Sequence, residues 1–412
     1  MRLHKMKKQT NNQHAYTVKD SQFWLITISL AVSSFFVFAA MYSTQPLLPL
    51  FVREFDVSVS VSSLSVSLTI IGLIIGLIVL GFLSDRNGRT MFIKLSLAGA
   101  AIPFLLIPLS DSFLLFLIFR FLQGFALAGL PAAALAYLME EIDKSSLPLA
   151  TALYISSNAL GGMVGRVMTG YVSDHLSWEM AFYLLGGLGF VVLVAVLFML
   201  PHSRFFTPSQ LTFSRDMKGF LYHLKNPGLL WIFGIGVVIQ LSFTGIWTYL
   251  PFHLEGPPFS LSLEAISYLF LAYGLGVVGS PVAGWLSGRF GILIVRAAGI
   301  VVMSLGILMT LAPTVWMIAI GLCITCLGFF TAHSITASSV GFEVTHHKGS
   351  ASSLYLVFYY VGVSLGSSSF GAIMECDGLD RDCDYAKLYS CALYIKPVYR
   401  CQEKEAKCSG KK

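Results

Sequence analysis

The chain has 412 residues, 56% of them hydrophobic and only 12% charged, with a formal net charge of +6. Soluble domains carry roughly 25% charged residues, so a water-exposed globular surface of this size is excluded, and intrinsic disorder with it. Collagen-like and disulfide-scaffold classes fail on 37 Gly and 7 Cys. What remains is an all-α polytopic membrane protein. Its basic surplus then records topology, and no nucleic-acid partner is expected.

Residues 1–22 hold Arg2, Lys5, Lys7, Lys8 and Lys19 and are read as a cytoplasmic segment. The apolar run that follows is too long for a cleaved signal peptide, and no small-residue cleavage site comes after it. About 20 apolar residues cross a bilayer core as a helix, which satisfies its own backbone. Continuous runs rule out a barrel of alternating strands. Eleven such runs lie at about 23–43, 61–83, 91–110, 113–139, 148–174, 178–200, 227–250, 262–286, 292–311, 314–340 and 350–373. They divide into an N-terminal six-helix half over 23–200, a cytoplasmic linker over 201–226 and a C-terminal half over 227–373 with five clear spans. Sixteen Lys and Arg fall in segments on the N-terminal side of the membrane and one, Arg53, in the loops on the other. This asymmetry predicts a cytoplasmic N-terminus.

The two halves repeat. Gly81-Phe82-Leu83-Ser84-Asp85-Arg86-Asn87-Gly88 is echoed 203 residues later by Gly284-Trp285-Leu286-Ser287-Gly288-Arg289-Phe290-Gly291. In the fifth span of each half, Leu153-Tyr154 answers to Leu354-Tyr355, and Gly161, Gly165 and Gly170 answer to Gly362, Gly366 and Gly371, at an offset of 201. Parallel six-span repeats of this kind mark secondary transporters, with the substrate site between the halves.

The stretch Gly81-x-Leu83-Ser84-Asp85-Arg86-x-Gly88-Arg89-Thr90 resembles the loop motif between spans two and three of the major facilitator superfamily. Arg120-x-x-Gln123-Gly124 resembles the span-four motif of its proton-coupled branches. Gly161-Gly162-Met163-Val164-Gly165-Arg166 stands where the antiporter motif lies, without the usual Gly-Pro pair. The resemblance covers about residues 20–373. It implies a major-facilitator-like fold of two pseudo-symmetric six-helix halves, here with the twelfth helix missing, and the activity of a bacterial inner-membrane drug or sugar efflux permease working as a proton antiporter. It implies no cofactor and no metal. The expected partners are a small-molecule substrate, protons and the lipid bilayer, and the expected state is a monomer.

Asp85 is placed to face a helix N-terminus. Arg86 and Arg89 are placed to pair with Glu140, Glu141 or Asp143, latching the halves on the cytoplasmic side; the alternative is that they only anchor the loop. Gly81, Asp85, Arg86, Gly88 and Arg89 are thus expected as one gating motif and Gly284 with Arg289 as its weaker copy, since Gly288 replaces the aspartate. Arg120 and Arg166 are the only full charges well inside spans, where an unpaired Arg costs at least about 2.5–3.5 kcal/mol. Each either binds substrate or couples protons, or else braces the N-terminal half through backbone carbonyls and Asn or Gln side chains. No Asp or Glu lies near the middle of a span, and span one offers only Tyr42 and Gln45. His333 is the candidate proton carrier. Gln123, Asn158, Gln240, Trp247, Tyr249, Tyr359 and Tyr360 are candidates for an amphipathic cavity. Cys323 and Cys326 have redox spacing but lie mid-span and are read as filling. No nucleotide loop, nucleophile triad or metal cluster is present in the sequence, so an enzyme is not expected.

The last 39 residues break this plan. They hold eight basic and seven acidic residues and five of the seven Cys, with no run long enough to cross. A reading-frame shift near residue 373 is the expected cause. The rival is a genuine cysteine-rich outer tail, although its cysteine gaps fit no metal pattern. The functional expectation is proton-coupled efflux of small amphipathic compounds by alternating access. The alternatives are an uptake facilitator for a sugar or organic anion, and an inactive truncated or frameshifted remnant.

Overall fold

A computed structural model describes residues 15–210, 213–344 and 348–376; for 213–217, 277, 342, 348–350 and 370–376 only the backbone is described. The α-helices in chain order are α1 (Ser21–Tyr42), α2 (Leu48–Glu54), α3 (Val59–Asn87), α4 (Arg89–Leu106), α5 (Phe113–Leu127), α6 (Gly129–Glu141), α7 (Leu147–His175) and α8 (Trp178–Met199). They continue with α9 (Phe213–His223), α10 (Pro227–Glu255), α11 (Leu263–Tyr268), α12 (Gly274–Phe290), α13 (Ile292–Met309), α14 (Val315–Glu343) and α15 (Lys348–Cys376). Short 3-10 turns at Gln45–Leu47, Ile107–Leu109 and Leu269–Tyr273 join neighbouring pieces. Among the described residues, ten stretches are long and apolar enough to cross a membrane. Helix α15 covers the eleventh expected run. The expected frameshifted tail, beyond the last backbone turn of α15, lies outside the described residues.

Local chemistry sets the breaks. The fourth span divides into α5 and α6 because Pro131 has no N–H to offer the Leu127 carbonyl. The Ser96 hydroxyl donates to that carbonyl instead, at 3.0 Å. Serines 58, 112, 177 and 262 cap α3, α5, α8 and α11, each accepting from a first-turn N–H, worth about 1 kcal/mol apiece. Gly88 and Gly291, equivalent in the repeat, turn the chain from α3 into α4 and from α12 into α13 at φ 108° and 89°. L side chains avoid that region, which explains why glycine stands in both copies.

The glycines of α7 and α15 explain the second repeat. A Cβ on Gly161 or Gly165 would lie 2.0 Å from the Phe35 carbonyl oxygen or 2.5 Å from the Ala39 Cα of α1. A Cβ on Gly362 or Gly366 would lie 2.6 Å from the Val237 or 2.4 Å from the Leu241 carbonyl oxygen of α10. Each half therefore closes the same way, its fifth span pressed backbone to backbone on its first. Outward faces carry Leu114, Phe198, Leu293 and Trp316, all at least 70% exposed, as a lipid-facing surface requires.

One end of the bundle bears the start of α1, the α3–α4 turn and the 201–210 linker; we call it the linker end and the other the far end. Among the described residues, every hydrogen bond or ion pair between the halves lies in the far half of the bundle. They are Arg53–Glu255, His175–Glu264 at 3.7 Å, Gln45 Nε2 donating to Thr248 Oγ1 at 3.1 Å, Arg166 Nη2 to Tyr273 Oη at 3.5 Å and Ser67–Ser367 at 2.8 Å. An apolar seam, with Tyr360 and Val363 of α15 in the N-terminal core, continues from there. The halves are thus fastened at the far end.

Gly165→Ala is expected to destabilise the protein by about 1–3 kcal/mol through overpacking. Gly284→Ala, where nothing lies within 4 Å, is expected to be neutral or mildly stabilising. Thermal unfolding of both variants in detergent checks the opposite signs.

Candidate substrate site and gate

Arg120 and Arg166 are buried to 0% and 2% exposure, but they are answered differently. All five N–H groups of Arg120 have protein acceptors. Nε donates to Ser65 O. Nη1 reaches Ala40 O and Gln123 Oε1, and Nη2 reaches Met41 O at 2.9 Å and Thr44 Oγ1 at 3.5 Å. Ala40 and Met41 are at the C-terminal end of α1, where carbonyls lack later N–H partners and the helix dipole favours a cation. Gln123 completes the set by donating to Ala100 O at 2.7 Å. In this arrangement Arg120 braces α1, α3 and α5 and has no donor left for cargo.

Arg166, on α7, sits where the halves meet. Nε donates to Gln45 Oε1 at 2.8 Å and Nη1 to Gly162 O at 2.7 Å. Its guanidinium carbon stands 4.1, 4.6 and 5.2 Å from the ring centroids of Tyr42, Tyr273 and Phe270, a cation–π box worth about 0.5–2 kcal/mol per good contact. No carboxylate pairs with it among the described residues. From Tyr273 an aromatic wall runs through the C-terminal half: Phe243 at 5.4 Å, Phe329 stacked on Phe243 at 3.7 Å, His333 at 5.6 Å from Phe329, and Tyr359 at 4.7 Å from His333. His333 Nδ1 also lies 3.1 Å from Tyr355 Oη. Trp247 stacks on Phe270 at 4.7 Å and meets Tyr273 at 4.8 Å with the rings tilted by 50°.

Other expected residues lie apart from this constellation. Asn158 accepts from Ser34 within the N-terminal half. Gln240 donates to Thr244 at 3.0 Å, and its buried Oε1 has no donor among the described residues. Tyr249 Oη donates to Ser367 O at 2.7 Å, and Tyr360 packs into the N-terminal core. Tyr42, Gln45, Phe270 and Tyr273 were not singled out as site residues. One sign was available for Gln45: it and Thr248 differ by 203, the repeat offset. Equivalent positions touch only near the pseudo-twofold axis, so that spacing marks the axis.

At the linker end, Arg89 pairs with Asp85 and, at 3.1 Å, with Glu140. Arg86 instead lies over the Phe82 ring at 4.5 Å, and its Nε has no acceptor among the described residues. The expected latch therefore needs correction. All of these groups belong to α3, α4 and α6, so the pairs fasten one half internally and do not join the two. Glu141, 1% exposed, serves the linker: it accepts from Ser203 Oγ and from the Arg204 and Phe205 N–H groups. Asp143 accepts from the Ser145 hydroxyl and N–H, which hold its carboxyl below its ordinary value. Tyr16 of the N-terminal strap bonds backbone to backbone with Glu141 and Asp143, and Arg204 lies over its ring at 3.5 Å. Gly81 packs loosely against Ala132, and Gly284 and Gly288 face open space. Arg289 is exposed, lying near Phe290.

Two helical halves fastened at one end around a buried polar axis define a membrane transporter fold. The Major Facilitator Superfamily model matches residues 30–367, and the chain belongs to that superfamily. An inner membrane transport protein of Escherichia coli, YnfM, is 36% identical over 85% of this chain and 84% of its own length. An uncharacterized transporter of the same type from Bacillus subtilis, YybF, is 37% identical over 84% and 85%. The nucleoside transporter NupG, crystallised as a point mutant, superposes with a TM-score of 0.75 at 15% identity, over 89% of this chain and 96% of that one, a likeness of fold.

Arg120→Ala leaves the Met41 carbonyl and the Gln123 amide oxygen without this donor, at about 1–3 kcal/mol each. Its monodisperse peak in size-exclusion chromatography should be lost. Arg166→Gln takes a donor from Gln45 Oε1, Gly162 O and, at 3.5 Å, Tyr273 Oη, fewer than Arg120 supplies, and should keep that peak, with a thermal midpoint within a few degrees of the parent chain; the reverse order would contradict these roles.

Proposed function

We propose that the chain is a secondary transporter working by alternating access, exporting small amphipathic compounds across the bacterial inner membrane against proton entry. The observation that carries this reading is the one-sided fastening of the halves, with every polar tie between their described residues in the far half of the bundle. The charge asymmetry of the loops makes the linker end cytoplasmic, so this state is closed to the outside. Exchange to the other state requires these ties to break while compensating contacts form at the linker end. The Arg89–Asp85–Glu140 cluster keeps the N-terminal half rigid there as it moves.

His333 is the proton-carrying candidate, because it alone among the described histidines stands mid-span beside the aromatic wall. A second reading, uptake of an organic anion, is favoured by the charge of Arg166, which has no carboxylate partner among the described residues. One relative, from Acinetobacter baylyi, is named a cis,cis-muconate transport protein. Both readings share the cycle and differ in direction. The working unit is a monomer with no cofactor.

Inverted membrane vesicles containing the chain should accumulate fluorescent amphipathic compounds only while a proton gradient stands. An uncoupler should abolish accumulation, and His333→Gln should lower it at least about tenfold, which is 1.4 kcal/mol of coupling. Accumulation indifferent to the uncoupler would refute proton coupling.

A further inference from the structure

The two buried arginines differ in what they still have to give. Arg120 has an acceptor for each N–H. Arg166 has good acceptors for two of its five, a long contact of 3.5 Å to Tyr273, and no carboxylate among the described residues. Beside it, the indole N–H of Trp247 is buried without any acceptor among the described residues, while its ring stacks on Phe270 and lies tilted against Tyr273, two walls of the arginine's box. This corner is rich in donors, poor in acceptors and lined by rings. Buried polar groups left without partners are costly, and here the shortage is specifically of acceptors and negative charge.

The short bonds also divide by half. Arg166 is held tightly by the N-terminal half, through Gln45 and Gly162. The C-terminal half supplies only ring faces and the long Tyr273 contact. When the halves part at the far end, the guanidinium stays with its own half and loses only that weak cover.

Resting on the second, uptake reading above, we infer that Arg166 with the Tyr42, Phe270, Tyr273 and Trp247 side chains is the anion site of the cargo, and that the cargo class is a small organic carboxylate with a planar apolar body. The guanidinium fork, whose two terminal nitrogens each make one hydrogen bond among the described residues and carry a second N–H, matches a carboxylate, and the rings match a flat apolar body. In the state closed at the far end, Tyr273 and Phe270 cover the guanidinium; in the opposite state the carboxylate takes their place. Cargo then binds with the far end open and leaves as that end closes, the order of the uptake reading, because the same face of Arg166 serves both.

The test titrates the purified full chain in detergent with benzoate and with its neutral isostere benzamide, reading thermal midpoint and tryptophan fluorescence. Benzoate should bind saturably at millimolar concentration, and benzamide at least about tenfold more weakly, a difference of 1.4 kcal/mol. Arg166→Gln should erase the preference for benzoate. Arg166→Lys, which keeps the charge without the fork, should restore part of it, and Trp247→Phe should weaken benzoate alone. Equal binding of the two probes, no saturable benzoate response, or an unchanged preference in Arg166→Gln and Arg166→Lys would overturn the site. Uncoupler-insensitive flux with Arg166-dependent benzoate binding intact would overturn proton coupling and leave the site standing.

Discussion

A guanidinium inside an apolar bundle must be surrounded by acceptors or by rings, because water is not there to do it. The chain meets this constraint twice, and the two solutions organise the molecule. Arg120 takes carbonyls from the end of α1 and the start of α3 and fixes the N-terminal half as a unit. Arg166 takes an amide and a carbonyl from that same half and ring faces from the other. The first bond set is complete and static. The second is incomplete and straddles the boundary that has to open.

The halves themselves can be rigid because glycine brings their first and fifth helices into backbone contact. Motion is then confined to the surface between the halves, where the described polar ties lie in the far half of the bundle and an apolar seam continues from them. Gln45 lies at the centre of that surface, donating to Thr248 and accepting from Arg166. Its position near the pseudo-twofold axis makes it the smallest element that senses both the arginine and the opposite half.

The spans were legible in the sequence because lipid imposes one requirement, a long apolar run, with little competition from other signals. The repeat was legible for the same kind of reason: Gly88 and Gly291 share a positive φ that glycine tolerates, and the α7 and α15 glycines share a crossing with no room for a Cβ. The partners of charged groups were less legible. Successive helical residues point about 100° apart, so whether Glu140 or Glu141 meets Arg89 depends on a helix rotation that spacing does not give. Glu140 turned out to face α4 and Glu141 the linker. The aromatic box draws Tyr42, Phe270 and Tyr273 from separate segments, and its existence is a matter of tertiary placement.

The central claim is that the far-end ties and the linker end open in alternation around Arg166. Double electron–electron resonance measures it most directly, on a chain freed of its native cysteines and labelled in two pairs. One pair is Glu54→Cys with Ser260→Cys at the far end, and the other is Asn87→Cys with Gly288→Cys at the linker end. The account predicts two populations at each end that shift in opposite directions when a proton gradient or cargo is applied. Single distances at both ends that stay fixed under either condition would contradict it.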